Sequence, residues 1–201
     1  MSNPATTPDV DEAALVERLR VGDEAAFKEL VRDQQAAIYR LLYRLMGDAS
    51  EAEDLAQEVF VRVFKSIGQF RADSRLSTWL FRIATNHAQN RLRYLARRGR
   101  KERRTYDEHM DPAAISSDTT ARIAQPDRLV EGFQAERHMQ LALATLDAEQ
   151  RSLIVLRDLE SLSYEEVRQI TGLPIGTVKS RLHRARLQLF QSYTALQGDA
   201  L

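Results

Sequence analysis

The chain contains no cysteine, which rules out disulfide staples, thiolate metal ligands and thiol nucleophiles and permits a reducing compartment. No stretch approaches 18 consecutive apolar residues, and the start, MSNPATTPDVDEAA, offers neither a basic n-region nor an apolar h-region. A cytoplasmic protein with no direct membrane insertion is expected. The four histidines, His87, His109, His138 and His183, are scattered without metal-pair spacing. Also missing are a Gly-rich phosphate loop, a G-x-S-x-G elbow and any alternation of strand and helix patterns. With no catalytic constellation left, the expectation is no enzyme, no metal, no cofactor and no small-molecule ligand.

Net charge is absent as well, with 29 basic against 29 acidic residues, yet the charges are segregated. Residues 1–60 carry 6 basic and 13 acidic side chains, 61–104 carry 13 and 2, 105–150 carry 3 and 9, and 151–201 carry 7 and 5. Two separated basic blocks offer two phosphate-binding surfaces, which the zero total conceals. At 201 residues and 43% hydrophobic content, one or two domains with a substantial core are expected. The apolar spacings are helical throughout. They predict an all-α fold of two small helical domains joined by a flexible linker, the second containing a helix-turn-helix.

Residues 1–11 read as a disordered tail and 12–98 as the first domain. Leu15 and Leu19 mark a short helix. Phe27, Leu30 and Val31 open a second, which continues through Ile38, Leu41, Leu42 and Leu45 to the Gly47-Asp48 stop. Ser50 and Glu53 have capping-box spacing before a third helix, from about Glu51 to Ile67, with Leu55, Val59, Phe60, Val63, Phe64 and Ile67 as its buried stripe. Opposite them lie Asp54, Gln57, Glu58, Val61, Arg62 and Lys65, a set that suits a solvated face or a polar protein contact. The loop Phe70-Arg71-Ala72-Asp73-Ser74-Arg75 leads to a fourth helix, Ser77 to Arg98. Trp79, Leu80, Ile83, Ala84, Leu92 and Leu95 form its core side. Its polar side, Thr78, Arg82, Thr85, Asn86, Gln89 and Arg93, suits phosphates and base edges.

The stretch RRGRKERR at 97–104 is either a solvated charge run or an electrostatic DNA contact. Residues 99–133, rich in Asp, Ser, Thr and Pro, read as the linker, with a helix beginning near Asp127; some 30 flexible residues span roughly 30 Å on average. Residues 134–195 read as the second domain. Met139, Leu141, Ala142 and Leu146 line its first helix, Asp147 and Gln150 cap the next, and Leu153, Ile154, Leu156 and Leu159 pack inward.

The hairpin LSYEEVRQITGLPIGTVKSRLHRARLQL follows at 162–189. Ser163 and Glu166 have capping-box spacing, Tyr164, Val167 and Ile170 give a short helix one apolar side, and Gly172 with Pro174 ends it. From about Ile175 a second helix sets Val178, Leu182, Ala185 and Leu189 on one face. Lys179, Arg181, Arg184 and Arg186 crowd the rest without an acidic residue. This is the pattern of a helix-turn-helix whose second helix enters the DNA major groove; taken alone, it is also that of a packing unit with a solvated charged face.

Four segments in this order, EAEDLAQEVFVRVFKSIGQF at 51–70, FRADSRLSTWLFRIATNHAQNRLR at 70–93, LDAEQRSLIVLRDLESLSYEEV at 146–167 and PIGTVKSRLHRARLQL at 174–189, resemble the extracytoplasmic-function group of RNA polymerase sigma factors in the sigma-70 family. The resemblance implies an initiation factor that binds core RNA polymerase and promoter DNA. It places a polymerase-gripping face on Asp54, Gln57, Glu58 and Arg62. It places capture of a base from the minus-ten element on Phe70, Arg71, Ala72, Asp73, Ser74, Arg75 and Leu76, supported by Arg82 and Asn86. Lys179, Ser180, Arg181, His183 and Arg184 would face the bases and nearby phosphates of the minus-thirty-five element, with Thr177 and Arg186 on the backbone. The resemblance also implies an anti-sigma factor as regulator, and association with the nucleoid, or with the membrane when so held. Asp147 stands where a proline is usual in the family, and Arg168 where a small residue is usual, which bears on how closely the hairpin helices pack. The rivals are a free-standing transcriptional regulator, which needs a dimer interface or ligand pocket, and a helical enzyme using exposed carboxylates.

Overall fold

The computed structural model describes the backbone of residues 10–106 and 127–198, and the side chains of 11–98 and 134–197. Most of the 1–11 tail and of the 99–133 linker, and the side chains of 99–104 in the basic run, lie outside these residues. The described elements are helical: α1 (Val10–Arg20), α2 (Glu24–Met46), α3 (Ala49–Ser66), a 3-10 turn (Ile67–Gln69) and α4 (Leu76–Tyr106), then α5 (Asp127–Ala144), α6 (Ala148–Ile154), a π-helical turn (Val155–Leu159), α7 (Tyr164–Thr171) and α8 (Ile175–Gly198).

In the first half, α2 packs on both α3 and α4, α3 also packs on α4, and α1 closes the end. Ile38, Leu41, Leu42, Leu45, Leu55, Val59, Val63 and Leu80 are fully buried between them. The caps explain the helix starts. Asp23 accepts from the backbone N–H groups of Ala25 and Ala26 at 2.8 and 3.3 Å, satisfying orphan donors worth about 1 kcal/mol together. Asp48, and not Ser50, opens α3, because its carboxylate accepts from Glu51 N–H at 2.8 Å. Between α2 and α3 the chain reverses at Gly47, whose φ of 76° is left-handed and strains any residue with a Cβ.

In the second half, α5, α6 and α7 pack on α8. Two of the three anticipated capping boxes form, both in this half: Asp147 with Gln150 and Ser163 with Glu166. The turn between α7 and α8 uses Gly172 at φ 72°. Arg168 is exposed and ion-paired to Glu165, so its bulk stays out of the α7–α8 contact. The α6 helix widens at its end into the π-helical turn, where Glu160 N–H donates to Val155 C=O at 2.8 Å, five residues back; the apolar spacing of Leu153, Leu156 and Leu159 gave no sign of it.

Four residues differ from their sequence reading. Leu95, expected on the core side of α4, is exposed near the end of its described side chains. Phe64 is 55% exposed, lying edge-on to Phe27 with ring centroids 5.1 Å apart. Thr78 and Thr85, expected on the polar face of α4, are buried. The second half supplies the reason, for α6 and α7 lie against α4. There Gln89 donates to Ser152 Oγ at 3.2 Å, and Thr78 and Gln169 line one cleft. Among the described residues the Thr85 hydroxyl has no hydrogen-bond partner.

Candidate nucleic-acid interfaces

On α3, Asp54, Gln57, Glu58, Val61 and Arg62 are all exposed and, at spacings of three, four and seven, share one side of the helix. Glu58 Oε2 lies 4.0 Å from His87 Nδ1, and Glu58 Oε1 3.9 Å from Arg91 Nη2, while Arg91 Nε donates to Glu51 at 2.8 Å. The α3 face is thus braced from α4 at one edge. Asp54, Gln57 and Arg62 make no side-chain contact of this kind among the described residues, and Val61 is 53% exposed beside them.

The loop after α3 is held from α1. Arg20 Nη2 donates to Phe70 C=O at 2.6 Å, and Leu76 N–H, at the start of α4, donates to Glu12 Oε1 at 2.9 Å. Phe70 is buried, its ring tilted 51° against Trp79 at 5.3 Å. Between these anchors the chain bulges outward through Ala72, whose φ of 57° is left-handed in a residue that has a Cβ. Such a conformation costs about 1 kcal/mol and persists where the surroundings enforce it. The bulge encloses a cleft of about 280 Å³ lined by Gln69, Phe70, Arg71, Asp73, Ser74, Trp79 and Arg82. Of the residues anticipated for base capture, Phe70, Arg71, Asp73, Ser74 and Arg82 meet here. Ala72 shapes the bulge, and Asn86 is exposed one turn beyond Arg82. Arg75 and Leu76 instead line a separate cleft with Asp11, Glu12 and Asp33, and Leu76 is buried. Sequence reasoning missed Gln69, which adjoins Phe70 in the 3-10 turn, and also Arg20 and Glu12, because only the tertiary fold brings α1 to this loop.

Helix α8 sorts its polar residues into a crest and two flanks. Each residue turns about 100° from the last, and Val178, Leu182 and Ala185 are fully buried, so Ser180, His183 and Arg184 lie on the far side. All three are exposed, and His183 and Arg184 have no ion-pair partner among the described residues. One flank carries Lys179 and Arg186. Lys179 Nζ sits 5.4 Å from the Tyr164 ring centroid, and Arg186 forms a two-point ion pair with Asp158. The other flank carries Thr177 and Arg181, the latter ion-paired to Glu149 of α6. The Tyr164 ring also receives the Arg157 guanidinium at 4.8 Å. Tyr164 thus serves as a cation platform as well as an apolar contact of α7.

Two family profiles match: sigma-70 region 2 over residues 30–98, and sigma-70 region 4 over residues 137–189. The chain is 38% identical over 187 residues to RNA polymerase sigma-H factor of Pseudomonas aeruginosa, covering 92% of this chain and 95% of that one. The chain belongs to the extracytoplasmic-function RNA polymerase sigma factors. It is also 32% identical to the sigma factor SigW of Bacillus subtilis, over 85% of this chain and 90% of SigW. Among solved structures it resembles the sigma factor RpoE in complex with the anti-sigma factor NepR from Bartonella quintana, with TM-score 0.61 and 27% identity, covering 84% of this chain and 96% of RpoE.

As a sigma factor the chain directs promoter-specific initiation of transcription. The region 2 match takes in α3, the bulged loop and the described side chains of α4, and the region 4 match ends at Leu189 within α8. No helix among the described residues of this sigma factor is long and apolar enough to cross a membrane, and no group of three or more histidine and acidic residues is gathered as for a metal ion.

Proposed function

We propose that this sigma factor divides its work among three surfaces, carried by a first domain at 12–98 and a second at 134–195. The exposed side of α3, with Asp54, Gln57, Glu58 and Arg62, grips core RNA polymerase. The cleft under the Ala72 bulge, with Phe70, Arg71, Asp73, Ser74 and Arg82 at its walls, takes a base flipped from the minus-ten element, and Asn86 extends that surface along α4. Unstacking a base costs a few kcal/mol, which stacking and hydrogen bonds in the cleft must offset. The crest of α8, Ser180, His183 and Arg184, reads the minus-thirty-five bases in the major groove, while Thr177, Lys179, Arg181 and Arg186 on its flanks hold phosphates at the groove walls. The chain acts by binding, without catalysis of its own. It works in the cytoplasm at the nucleoid, and an anti-sigma factor holds it inactive, at the membrane where that regulator is anchored there.

The observation that carries this reading is the pairing of an arginine-walled cleft in one helical unit with an exposed basic crest in the other. The test mixes the purified chain with bacterial core polymerase and assays transcription from the DNA upstream of its own gene. A complex and a specific start site are expected. Tight promoter binding by the chain alone as a dimer, with no polymerase complex, would show a free-standing regulator instead.

A further inference from the structure

Arg186 and Asp158 meet through two hydrogen bonds on one edge of the guanidinium: Nε donates to Oδ2 at 2.9 Å and Nη2 to Oδ1 at 2.6 Å. A guanidinium has five N–H donors in a planar fork. This contact uses two of them; Tyr164 also bears on the guanidinium, and the N–H groups that neither partner engages are left for another acceptor. The side chains are partly open to solvent, at 47% for Arg186 and 31% for Asp158, so the pair can be reached from outside. The carboxylate holds Arg186 still more firmly in its charged form. Asp158 itself is fixed by the π-helical turn, whose wide backbone loop carries it toward the Lys179–Arg186 flank of α8.

A carboxylate beside a DNA-facing cation weakens the general attraction for the phosphate polyanion. Its compensating effect is order. Arginine has many rotamers, and one pre-set by an ion pair loses less freedom when it meets a phosphate. We propose that Asp158 is a positioning residue for promoter recognition. It fixes Arg186 on the flank of α8 with part of the fork open to a DNA phosphate, and so sets the register in which Ser180, His183 and Arg184 meet base edges. This rests on the reading of α8 as the minus-thirty-five helix. Glu149 stands in the same relation to Arg181 on the opposite flank.

The test uses the full chain assembled with bacterial core polymerase, binding two duplexes of equal length, one from upstream of its own gene and one of random sequence. Asp158→Asn removes the charge at nearly constant shape. Binding to the random duplex is expected to rise about twofold while promoter binding falls, so that the ratio of the two drops roughly tenfold. Asp158→Glu should restore most of that ratio. In an Arg186→Ala background Asp158→Asn should change the ratio no further, because its effect runs through Arg186. An unchanged ratio, a parallel loss on both duplexes, or an equal loss in the Arg186→Ala background overturns the proposal and leaves Asp158 as a scaffold residue. Arg184→Ala separates this from the underlying reading. If it also leaves the ratio unchanged, α8 is not the base-reading helix and both ideas fall. If it lowers the ratio while Asp158→Asn does not, the positioning role alone is lost.

Discussion

Glu160, with only 5% of its side chain exposed, accepts a 2.6 Å hydrogen bond from Arg44 Nη1 in the other half of the chain. Arg40 adds two more, at 3.1 and 3.2 Å. Nearby, Arg151 donates to Leu45 C=O at 2.7 Å and to the carbonyls of Ala144 and Leu146. Burial pushes that guanidinium below its ordinary range, with Asp147 opposing the shift. These contacts close the two helical units on each other. Glu160→Lys, which sets a third cation against Arg40 and Arg44, is predicted to separate them, raising the radius of gyration in small-angle X-ray scattering. Adding Arg40→Glu and Arg44→Glu to that variant should restore the compact form; if all variants scatter like the parent, this contact does not hold the units together. The loss should be about 2 kcal/mol, below that of a fully buried pair because Arg40 is half in water.

The left-handed Ala72 gives a second prediction. Ala72→Gly should fold with unchanged or slightly higher stability, since it relieves strain at some cost in chain entropy. Ala72→Val should lose roughly 1–2 kcal/mol, because a β-branched side chain fits that conformation worst. Thermal unfolding checks both. Promoter opening should drop with Val and be largely retained with Gly; equal opening by the two would mean that the bulge does not shape the cleft.

The polymerase and DNA surfaces should separate by mutation. Asp54→Ala and Gln57→Ala are predicted to weaken association with core polymerase while leaving the melting temperature near that of the parent, as both side chains are exposed. Arg184→Ala should leave that association intact and reduce promoter selectivity by about 1–3 kcal/mol, the worth of a specific base contact. Competition for core polymerase and promoter binding by the assembled holoenzyme measure the two effects.

Acid should act through the helix caps. Arg18, then the N–H groups of Ala26 and Ala25, hold the Asp23 carboxyl below its usual value, and Arg168 does the same for Glu165. A carboxyl depressed in the folded state contributes stability that is present above the unfolded pKa of about 4 and is lost as pH falls through the folded value. Thermal stability should therefore be flat in this respect from pH 7 to about 5 and decline below about 4. Asp23→Ser keeps a cap and should flatten part of that decline; an unaltered acid profile would show that Asp23 is not among the groups responsible.

Much of this was legible in the chain itself. The helices from α2 to α8, the capping boxes at Asp147 and Ser163, the Gly172 turn and the basic outer side of α8 follow from spacing and cap chemistry, which are local; the Ser50–Glu53 box does not form because Asp48 takes the cap. What spacing could not show is what distant segments do to one another. Thr78 and Thr85 read as a polar face and are buried because α6 and α7 cover them. Arg20 and Glu12 secure a loop some 50 to 60 residues away. Phe64 continues an apolar stripe, yet α2 covers it only at the edge near Phe27. Asp158 and Tyr164 looked like one more surface charge and one more apolar contact, until the π-helical turn brought them to the flank of α8.

That turn constrains how the chain can vary in length. It accommodates one residue more than an α-helical turn would, and over four residues Arg157 meets Tyr164, Asp158 meets Arg186 and Glu160 meets Arg40 and Arg44. Removing a single residue between Val155 and Leu159 would restore regular α-helix and rotate everything beyond it by about 100°. All three contacts would then be misaligned at once, although no buried side chain need be lost. Conservative replacements should be tolerated in this segment far better than any change in its length.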